Sequence, residues 1–492
     1  MCIKWYNLCC KINKLNQIIH RAMINKNSSS CNRAISFESL FTHIGVGSLL
    51  ARAKFSKRSG ADVFTLLSVL VTSIFKGYPN LYRFFESTEG KSLPFISRDS
   101  MYRFLSTPKY DWQSLMLYIA TFIIRFICEL NKNNKNQVNC LVVDDTMIER
   151  CRGKKVELLS RQYNHVIGKT VKGFTNLALG WTDGVNYVPV LSHLIASNKE
   201  KNLIQKANTG NIDNRTTGAR RRLLACKKKP DVLISMCTRA MIAIPATYIL
   251  MDSWFFSDFL VRKLKQLGLQ SICLVKSNLQ FKLGKGSSKV FSQKDILKEI
   301  NGGKLNKSKL ITSVIAYTNK DLKIRLVFVK ARNSTDWICI VSTDVDLSPE
   351  RIIELYGRRW SIEVAFKAQK SYLGLKSECQ AHDFDTCNAF MVIANIRLQL
   401  MELNRRHDND PRSIGELFYS ARSELTAITF AEALQTLLLL IDDIAVTLDA
   451  AGCICKGKLA KAKEVISNEI SEWFSSMTDY IKMYIQLPQT TL

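Results

Sequence analysis

Short, mostly apolar runs alternate with helical patterns along the middle of the chain. Residues 138–143 form one such run, followed by Asp144 and Asp145, and residues 247–251 form a second, followed by Asp252. Continuous apolar character is typical of strands that are covered on both faces, so we predict that both runs are central strands of an α/β sheet. The acids then lie at strand ends, where active sites of such sheets are commonly built.

The next two patterns complete a βαβ unit. Residues 257–267 have helical periodicity and end before Gly268, and residues 271–275 form another apolar run. This order predicts two parallel strands joined by a helix, with Asp252 at the carboxyl end of the first strand.

Residues 277–350 have a different character, with several glycines in the first part and β-prone runs in the second. These runs, at residues 310–317, 322–329 and 337–342, predict antiparallel strands. We therefore predict a β-rich insertion that separates Asp252 from the helix of Glu363.

Both ends of the chain are predicted to be helical. Helical patterns recur from residue 36 to about residue 131, including a short capped helix at residues 97–105 with basic residues on one side. A DNA-binding module fits this part, and so does a plain helical cap. Beyond residue 380, dimerisation and further DNA contact are both open for the predicted helices, which cover residues 388–404, 413–425, 431–450 and 458–475.

These patterns predict five segments. Residues 1–131 form a helical N-terminal region for DNA binding, and residues 137–276 form the first part of an α/β core. The β-rich insertion at residues 277–350 separates that part from the core's helix with the third acid, at residues 351–400. Residues 401–492 form a helical C-terminal region.

The segment YGRRWSIEVAFKAQK, at residues 356–370, is predicted to be a helix with one acid in a basic and aromatic strip. At about 100° per residue, one arc carries Glu363 together with Tyr356, Arg359, Trp360, Lys367 and Lys370. A second arc is mostly apolar and predicts packing on a core. Because Glu363 is also spaced i,i+4 from Arg359 and from Lys367, a surface helix with ordinary ion pairs is the alternative.

Composition and charge indicate the kind of partner. The chain has 492 residues, 47% of them hydrophobic, which is enough for a large core. Its formal charge of +28 arises from 70 Lys and Arg against 42 Asp and Glu. Since the bases are spread along the chain, a polyanion is expected, with nucleic acid first and a membrane surface second. The basic segment at residues 199–230 is predicted to contact phosphates or to be a solvated loop or helix.

Cysteines and apolar windows bear on the compartment. The 15 cysteines have no regular framework, which predicts reduced thiols in the cytoplasm. Cys379, His382 and Cys387 supply only three zinc ligands, so structural zinc is disfavoured. The N-terminus lacks the apolar run of a signal sequence. The apolar windows at residues 63–75 and around 437–441 are too short or too interrupted to span a bilayer, so we expect a soluble protein without a membrane partner.

Asp145, Asp252 and Glu363 together are typical of divalent-metal chemistry. Carboxylate oxygens suit Mg²⁺ or Mn²⁺, which bind substrate phosphate oxygens as well. Two such ions support an in-line phosphoryl displacement that needs no nucleophilic side chain. The sequence contains neither a Gly-x-Ser-x-Gly elbow nor a nucleotide-binding glycine loop.

The spacing Tyr356-x2-Arg359-x3-Glu363-x6-Lys370 resembles the Tyr-Arg-Glu-Lys signature of a large family of bacterial insertion-sequence transposases, the insertion-sequence-four type, with a DDE acid triad. Asp145-Thr146 is similar to the family's first acid and Asp252-Ser253 to its second. Asp145 is preferred over Asp144 because the family's acid is followed by Thr. Adjacent strand residues point to opposite faces, so only one of the two can face the metal ions.

The resemblance implies an RNase H-like catalytic core with Mg²⁺, or Mn²⁺ as its substitute, held by Asp145, Asp252 and Glu363. It implies a cut-and-paste enzyme that acts as a homodimer on terminal inverted repeats and target DNA, on the nucleoid in a bacterial cytoplasm. Phosphates near the cut would be held by Tyr356, Arg359 and Lys370, with Trp360 and Lys367 as supporting contacts. The alternative is a catalytically inactive, DNA-binding relative that regulates transposition.

Overall fold

The computed structural model describes residues 37–93, 95–134, 137–164, 167–208, 212–300, 311–330, 337–407 and 410–423, together with residues 461 and 465. The N-terminal lead-in and the helix predicted at residues 431–450 lie outside the described residues, as does nearly all of the helix predicted at residues 458–475. The helix predicted at residues 413–425 is observed at residues 414–423.

Helices precede the sheet, as the sequence predicts. Side chains cap several of them: Asp62 accepts hydrogen bonds from the amides of Phe64 and Thr65, and Ser97 forms a capping box with Ser100. The short capped helix predicted at residues 97–105 is thereby confirmed. In chain order the helices are α1 (Phe37–Ile44), α2 (Val46–Arg52), α3 (Val63–Thr72), α4 (Leu81–Glu86), α5 (Thr88–Ser92), α6 (Arg98–Leu105) and α7 (Trp112–Leu130).

Helix α7 is long and apolar enough to cross a membrane by length and composition alone. The sequence-based comparison of apolar windows missed this segment. Half of its apolar window is buried within the protein, including Trp112, Ile119 and Ile123. The helix packs on the strand Tyr187–Ile195 and on the helix Phe384–His407, so its apolar composition is explained by the core that it covers.

The described strands form one large mixed sheet and one short ribbon. The order in the large sheet is β2-β3-β1-β5-β6-β11-β10-β9, with β4 also paired to β3, and β7 pairs with β8 in the ribbon. The strands are β1 (Cys140–Glu149), β2 (Ser160–Asn164), β3 (Lys169–Thr182), β4 (Tyr187–Ile195), β5 (Tyr248–Met251), β6 (Gln270–Leu274), β7 (Gln280–Phe281), β8 (Phe291–Ser292), β9 (Ile311–Tyr317), β10 (Lys323–Lys330) and β11 (Trp337–Ser342).

Further helices lie between and after these strands. They are α8 (Thr217–Ala225), α9 (Lys229–Ala240), α10 (Asp258–Gln266), α11 (Gln293–Ile300), α12 (Pro349–Gly357), α13 (Trp360–Ser371) and α14 (Phe384–His407). The mixed α/β fold with helices at both ends agrees with the predicted RNase H-like class.

The three central strands confirm the predicted βαβ unit. Strand β1 is parallel to β5, and β5 is parallel to β6 across helix α10. Strand β1 is longer than predicted: it pairs with β5 only as far as Val143, but it stays paired with β3 through Asp144 and Asp145 to Glu149. The two acids therefore lie inside a strand, just beyond the part that β5 covers.

Strands β9, β10 and β11 are antiparallel, as predicted. They do not form a separate layer, because β11 pairs with β6 and so extends the central sheet. The chain leaves β11 near the start of β6 and returns across the sheet as α12 and α13. These two helices pack on β1 and β5 with Ile352, Leu355, Ile362 and Phe366, of which the last three belong to the arc predicted to be apolar.

The basic segment around residue 220 is partly structural. Arg221 and Arg222 on α8 are each 5% exposed. Arg222 pairs with Glu157 at 2.7 Å and with Asp385 at 2.8 Å, and Arg221 pairs with Asp385 at 2.9 Å. The prediction that this basic segment contacts phosphates or solvent is wrong for these two arginines, because their partners are more than 60 residues away in the sequence.

Candidate active site

Asp144 and Asp252 lie on adjacent parallel strands, each one residue beyond the last pair of the β1–β5 ladder. The register pairs Cys140 with Tyr248 and continues through Val143 and Met251, the last paired residues. One step further along both strands gives Asp144 and Asp252. The sheet therefore fixes the spacing of these two carboxylates through its backbone hydrogen bonds.

Side-chain alternation decides which face of β1 carries the acid of the site. Cys140 and Val142 belong to the same hydrophobic cluster as Ile362 and Phe366 of α13, and residues two apart on a strand face the same side. Asp144 consequently faces α13, whereas Asp145 faces away from it. The same alternation from Tyr248 directs Asp252 towards this side.

Asp145 has a separate partner. The Lys229 ammonium lies 2.6 Å from Asp145 Oδ2, and it also lies 4.9 Å from the centre of the Trp254 ring. Of the predicted triad, the structure brings Asp252 and Glu363 to one side of β1 and leaves Asp145 on the other. The residue that joins them is Asp144, the alternative that the sequence left open.

Arg359 connects Asp144 to Glu363. Its Nη1 donates to Asp144 Oδ2 at 2.9 Å, and its Nη2 donates to Glu363 Oε1. The guanidinium side chain is only 14% exposed. A positive charge thus lies between two of the three carboxylates.

Burial perturbs the Asp144 carboxyl. Desolvation raises the pKa of Asp144 to about 6, with Asp145 and Asp252 adding to the rise, while the Asp145 amide and Arg359 oppose it. A buried carboxylate near other carboxylates is costly to ionise. Such perturbed acids are typical of functional sites, although structural ion pairs produce them too.

The single helix predicted at residues 356–370 is interrupted. Helix α12 ends at Gly357 and α13 begins at Trp360. Between them, the amides of Arg358 and Arg359 bond to the carbonyls three residues earlier, which is the tighter 3₁₀ pattern. Glycine lowers the local helix propensity at this break. Tyr356 therefore belongs to a different helix from Glu363.

Tyr356 nevertheless borders the same site. Its ring centre lies 5.9 Å from the Arg359 guanidinium. Burial raises the pKa of the Tyr356 phenol, with Asp252 contributing to the rise and Arg359 opposing it. The hydroxyl is buried and makes no hydrogen bond of normal geometry among the residues that the structure describes, and its polar neighbour is the Arg359 guanidinium. Such a hydroxyl has hydrogen-bonding capacity left for a ligand group.

Lys370 reaches the other end of the site. Its ammonium donates to Thr146 Oγ1 at 2.5 Å, and Thr146 is two residues beyond Asp144 on the same face of β1. Burial lowers the pKa of Lys370, with Lys376 adding to the effect and Glu149 opposing it. Helix α13 therefore runs alongside β1, with Arg359 near Asp144 and Lys370 near Thr146.

Trp360 and Lys367 lie on the outer side of α13. The Trp360 side chain is 64% exposed, and Lys367 is also exposed. Neither contacts the acids in the described part of the chain. Both are positioned for a partner that approaches α13 from solvent.

The donor set fits a hard divalent cation. As they stand, no three acidic, histidine or cysteine side chains among the described residues are grouped closely enough to hold a metal ion. However, carboxylate oxygens are the ligands that Mg²⁺ and Mn²⁺ prefer, and the Arg359 guanidinium stands in for a cation between Asp144 and Glu363. The Tyr356 hydroxyl adds a polar group beside them. Asp144, Asp252 and Glu363 are the residues that could hold the ion.

Comparison with known protein families matches part of the chain to an endonuclease family. Residues 93–284 match the family model described as DDE superfamily endonuclease. The match supports a DDE-type transposase family for this chain, and a DDE endonuclease acts on DNA. It includes Asp144 and Asp252 and ends before Glu363. No curated protein matches the chain significantly.

Sequence reasoning missed the contact of Lys370 with Thr146 in the site, and it missed the contact of Lys229 with Asp145 on the opposite face of β1. The alternation of apolar residues in the two runs bears on the choice between Asp144 and Asp145. Tyr248, Leu250 and Asp252 are alternate residues of one run, and Cys140, Val142 and Asp144 are alternate residues of the other. Aligning the two apolar runs would therefore have paired Asp144 with Asp252. The preference for Asp145 relied instead on its following threonine.

Proposed function

We propose that the chain is a DDE transposase that cuts DNA at the ends of its element and joins them to target DNA. The observation that carries the proposal is the adjacency of Asp144 and Asp252, with Glu363 joined to Asp144 through Arg359. The family match over residues 93–284 supports the DNA substrate. The resemblance of residues 356–370 to the Tyr-Arg-Glu-Lys signature supports the transposase reading.

In this proposal, Asp144 replaces Asp145 as the first acid, and it acts with Asp252 and Glu363 as the ligands of Mg²⁺ or Mn²⁺. When bound, the ion would activate a water or 3′-hydroxyl and stabilise the leaving oxygen. The protein's own contribution is to hold the three carboxylates on two strands of one sheet and on a helix that packs against it.

The basic side chains of α13 complete the site. Arg359 and Lys370 lie at its two ends, and both can bind phosphate oxygens of the strand being cut. Tyr356 supplies a hydroxyl, and the exposed Trp360 and Lys367 supply contacts to DNA outside the cleft. A net charge of +28 favours binding along a polyanion. By the resemblance, the active form is a homodimer on the DNA, and the site of action is the nucleoid of a bacterial cytoplasm.

The test is cleavage of linear DNA that carries the inverted repeats flanking the gene. Purified protein with Mg²⁺ should cut at these repeats, and Asp252→Asn should abolish cutting while leaving end binding largely intact. Retained cutting by Asp252→Asn would rule out this acid as a ligand. Specific end binding without any cutting by the unmodified protein would favour the inactive, regulatory relative.

A further inference from the structure

Both oxygens of the Asp144 carboxylate already have hydrogen-bond donors. Oδ1 accepts from the backbone amide of Asp145 at 2.8 Å, and Oδ2 accepts from Arg359 at 2.9 Å. The Glu363 oxygen Oε1 accepts from the same guanidinium. The described protein therefore holds two of its three proposed ligands in an internal ion bridge.

Two elements of the fold hold the Arg359 side chain in place. Arg359 immediately precedes α13, and its side chain is held between β1 and the first turn of that helix. Its planar fork can donate to two carboxylates at once, which a lysine ammonium cannot match in geometry. Both contacts are made by the one Arg359 guanidinium. A divalent ion would bind the same carboxylate oxygens, so it would compete with the guanidinium for them.

We propose that Arg359 prevents Asp144 and Glu363 from binding a divalent cation until DNA is present. A phosphate of the bound strand attracts the guanidinium through two parallel hydrogen bonds, as planar arginine and phosphate groups commonly do. Movement of Arg359 to the phosphate frees both carboxylates together. The metal site is then completed only where there is DNA to cut.

This inference rests on the proposed function, because it takes Asp144, Asp252 and Glu363 as metal ligands. It adds a second role to Arg359, which is a positioning residue before DNA binds and a phosphate contact afterwards. It also predicts a coupling between two ligands: DNA should strengthen divalent-cation binding, and by linkage the cation should strengthen DNA binding by the same factor.

The experiment measures Mn²⁺ binding to the full-length protein by calorimetry, without DNA. Arg359→Gln removes the bridging charge, so we expect it to bind Mn²⁺ at least about tenfold more tightly than the unmodified protein. Arg351→Gln is the matched control, since Arg351 pairs with Glu354 on the outside of α12. It should leave Mn²⁺ binding unchanged. Circular dichroism reports whether each variant is folded, and Arg359→Met, which also removes the charge but keeps a long side chain, replaces Arg359→Gln if that variant unfolds.

A second titration uses the protein bound to duplex DNA carrying the flanking inverted repeats, with the Asp252→Asn complex as the reference for Mn²⁺ held by DNA itself. If Arg359→Gln and the unmodified protein bind Mn²⁺ equally tightly without DNA, Arg359 does not block the metal site. That result would overturn this inference even if the DNA-bound protein binds Mn²⁺ through Asp252. The proposed metal site itself would be overturned if neither the unmodified protein nor Arg359→Gln bound Mn²⁺ without DNA, and neither DNA complex bound more Mn²⁺ than the Asp252→Asn complex.

Discussion

Lys229 Nζ lies 2.6 Å from Asp145 Oδ2, on the face of β1 opposite the one that carries Asp144. The two neighbouring acids therefore have different partners: Asp145 is neutralised by a lysine of α9, and Asp144 is shared with the arginine that holds Glu363. This difference gives the two carboxylates separate expected roles.

Asp144→Asn should abolish DNA cutting while preserving end binding. Loss of a ligand carboxylate removes several kcal/mol of transition-state stabilisation, so the rate should fall by roughly a hundredfold or more. Asp145→Asn is the matched control, because it changes the adjacent residue on the other face. It should retain cutting within about tenfold of the unmodified protein. A greater loss for Asp145→Asn than for Asp144→Asn, in a gel assay of cut ends, would restore Asp145 as the ligand.

Lys370→Gln should weaken DNA binding and make it less sensitive to salt. Each phosphate contact contributes about 0.9 to the slope of log affinity against log salt concentration, so the slope should fall by about that amount. Lys294 on α11 is exposed and far from α13 in sequence, and Lys294→Gln is the control that should keep the slope. An unchanged slope for Lys370→Gln in fluorescence anisotropy titrations would exclude Lys370 as a phosphate contact.

Arg397→Met should destabilise the fold strongly. Arg397 is fully buried and donates to both oxygens of Glu378 and to backbone carbonyls of Val71 and Leu373. Removing it leaves Glu378 buried without its cation, which costs about 3–5 kcal/mol in comparable cases. Urea unfolding measures the loss. Lys132→Gln, which breaks an exposed ion pair with Glu129, should leave the midpoint nearly unchanged. Equal midpoints for Arg397→Met and the unmodified protein would show that the buried pair adds no stability.

His193 should make the protein less stable in mild acid. Burial lowers the pKa of His193 to about 3, with Arg239 and Arg221 adding to the effect and Asp111 opposing it. The unfolded chain binds a proton at a pKa of about 6.5 while the folded one does not. Stability attributable to this residue is therefore complete above about pH 7, and it is lost as the pH falls from about 6.5 towards 3.

Urea titrations at pH 7 and pH 5 test this expectation. The unmodified protein should lose about 2 kcal/mol more than His193→Gln between these two pH values, since glutamine does not titrate. Because the other titrating groups are the same in both proteins, their effects cancel in the comparison. Parallel losses in the two proteins would show that His193 is not held neutral by the fold.

Local pattern was sufficient to predict the strands and helices around the site. The apolar runs before Asp144 and Asp252, the helix between β5 and β6, and the antiparallel strands after residue 310 are all observed. The burial of Leu355, Ile362 and Phe366 also follows the predicted arc. In each case the signal lies within one element, where the period of apolar residues reports the buried side.

Contacts between distant elements could not be read in this way. Which of two adjacent acids faces α13 depends on the register of β1 against β5 and on where the helix packs. The burial of Arg222 depends on Glu157 and Asp385, which reach it only after the chain has folded. The break at Gly357 was missed because helical periodicity continues across it, so Tyr356 and Glu363 were placed on one helix.

The elements that hold the three acids differ in how they are attached. Strand β1 is hydrogen-bonded to β3 and β5, so the amide hydrogens around Asp144 should exchange only through extensive unfolding, and Asp252 directly follows the last paired residue of β5. Glu363 is on α13, a helix whose outer side carries the exposed Val364 and Lys367. Local opening of this helix would detach one acid and leave the other two in place. In the proposed site, the positions of Asp144 and Asp252 therefore depend on the backbone hydrogen bonds of the sheet, whereas the position of Glu363 depends on the packing of Ile362 and Phe366 against it.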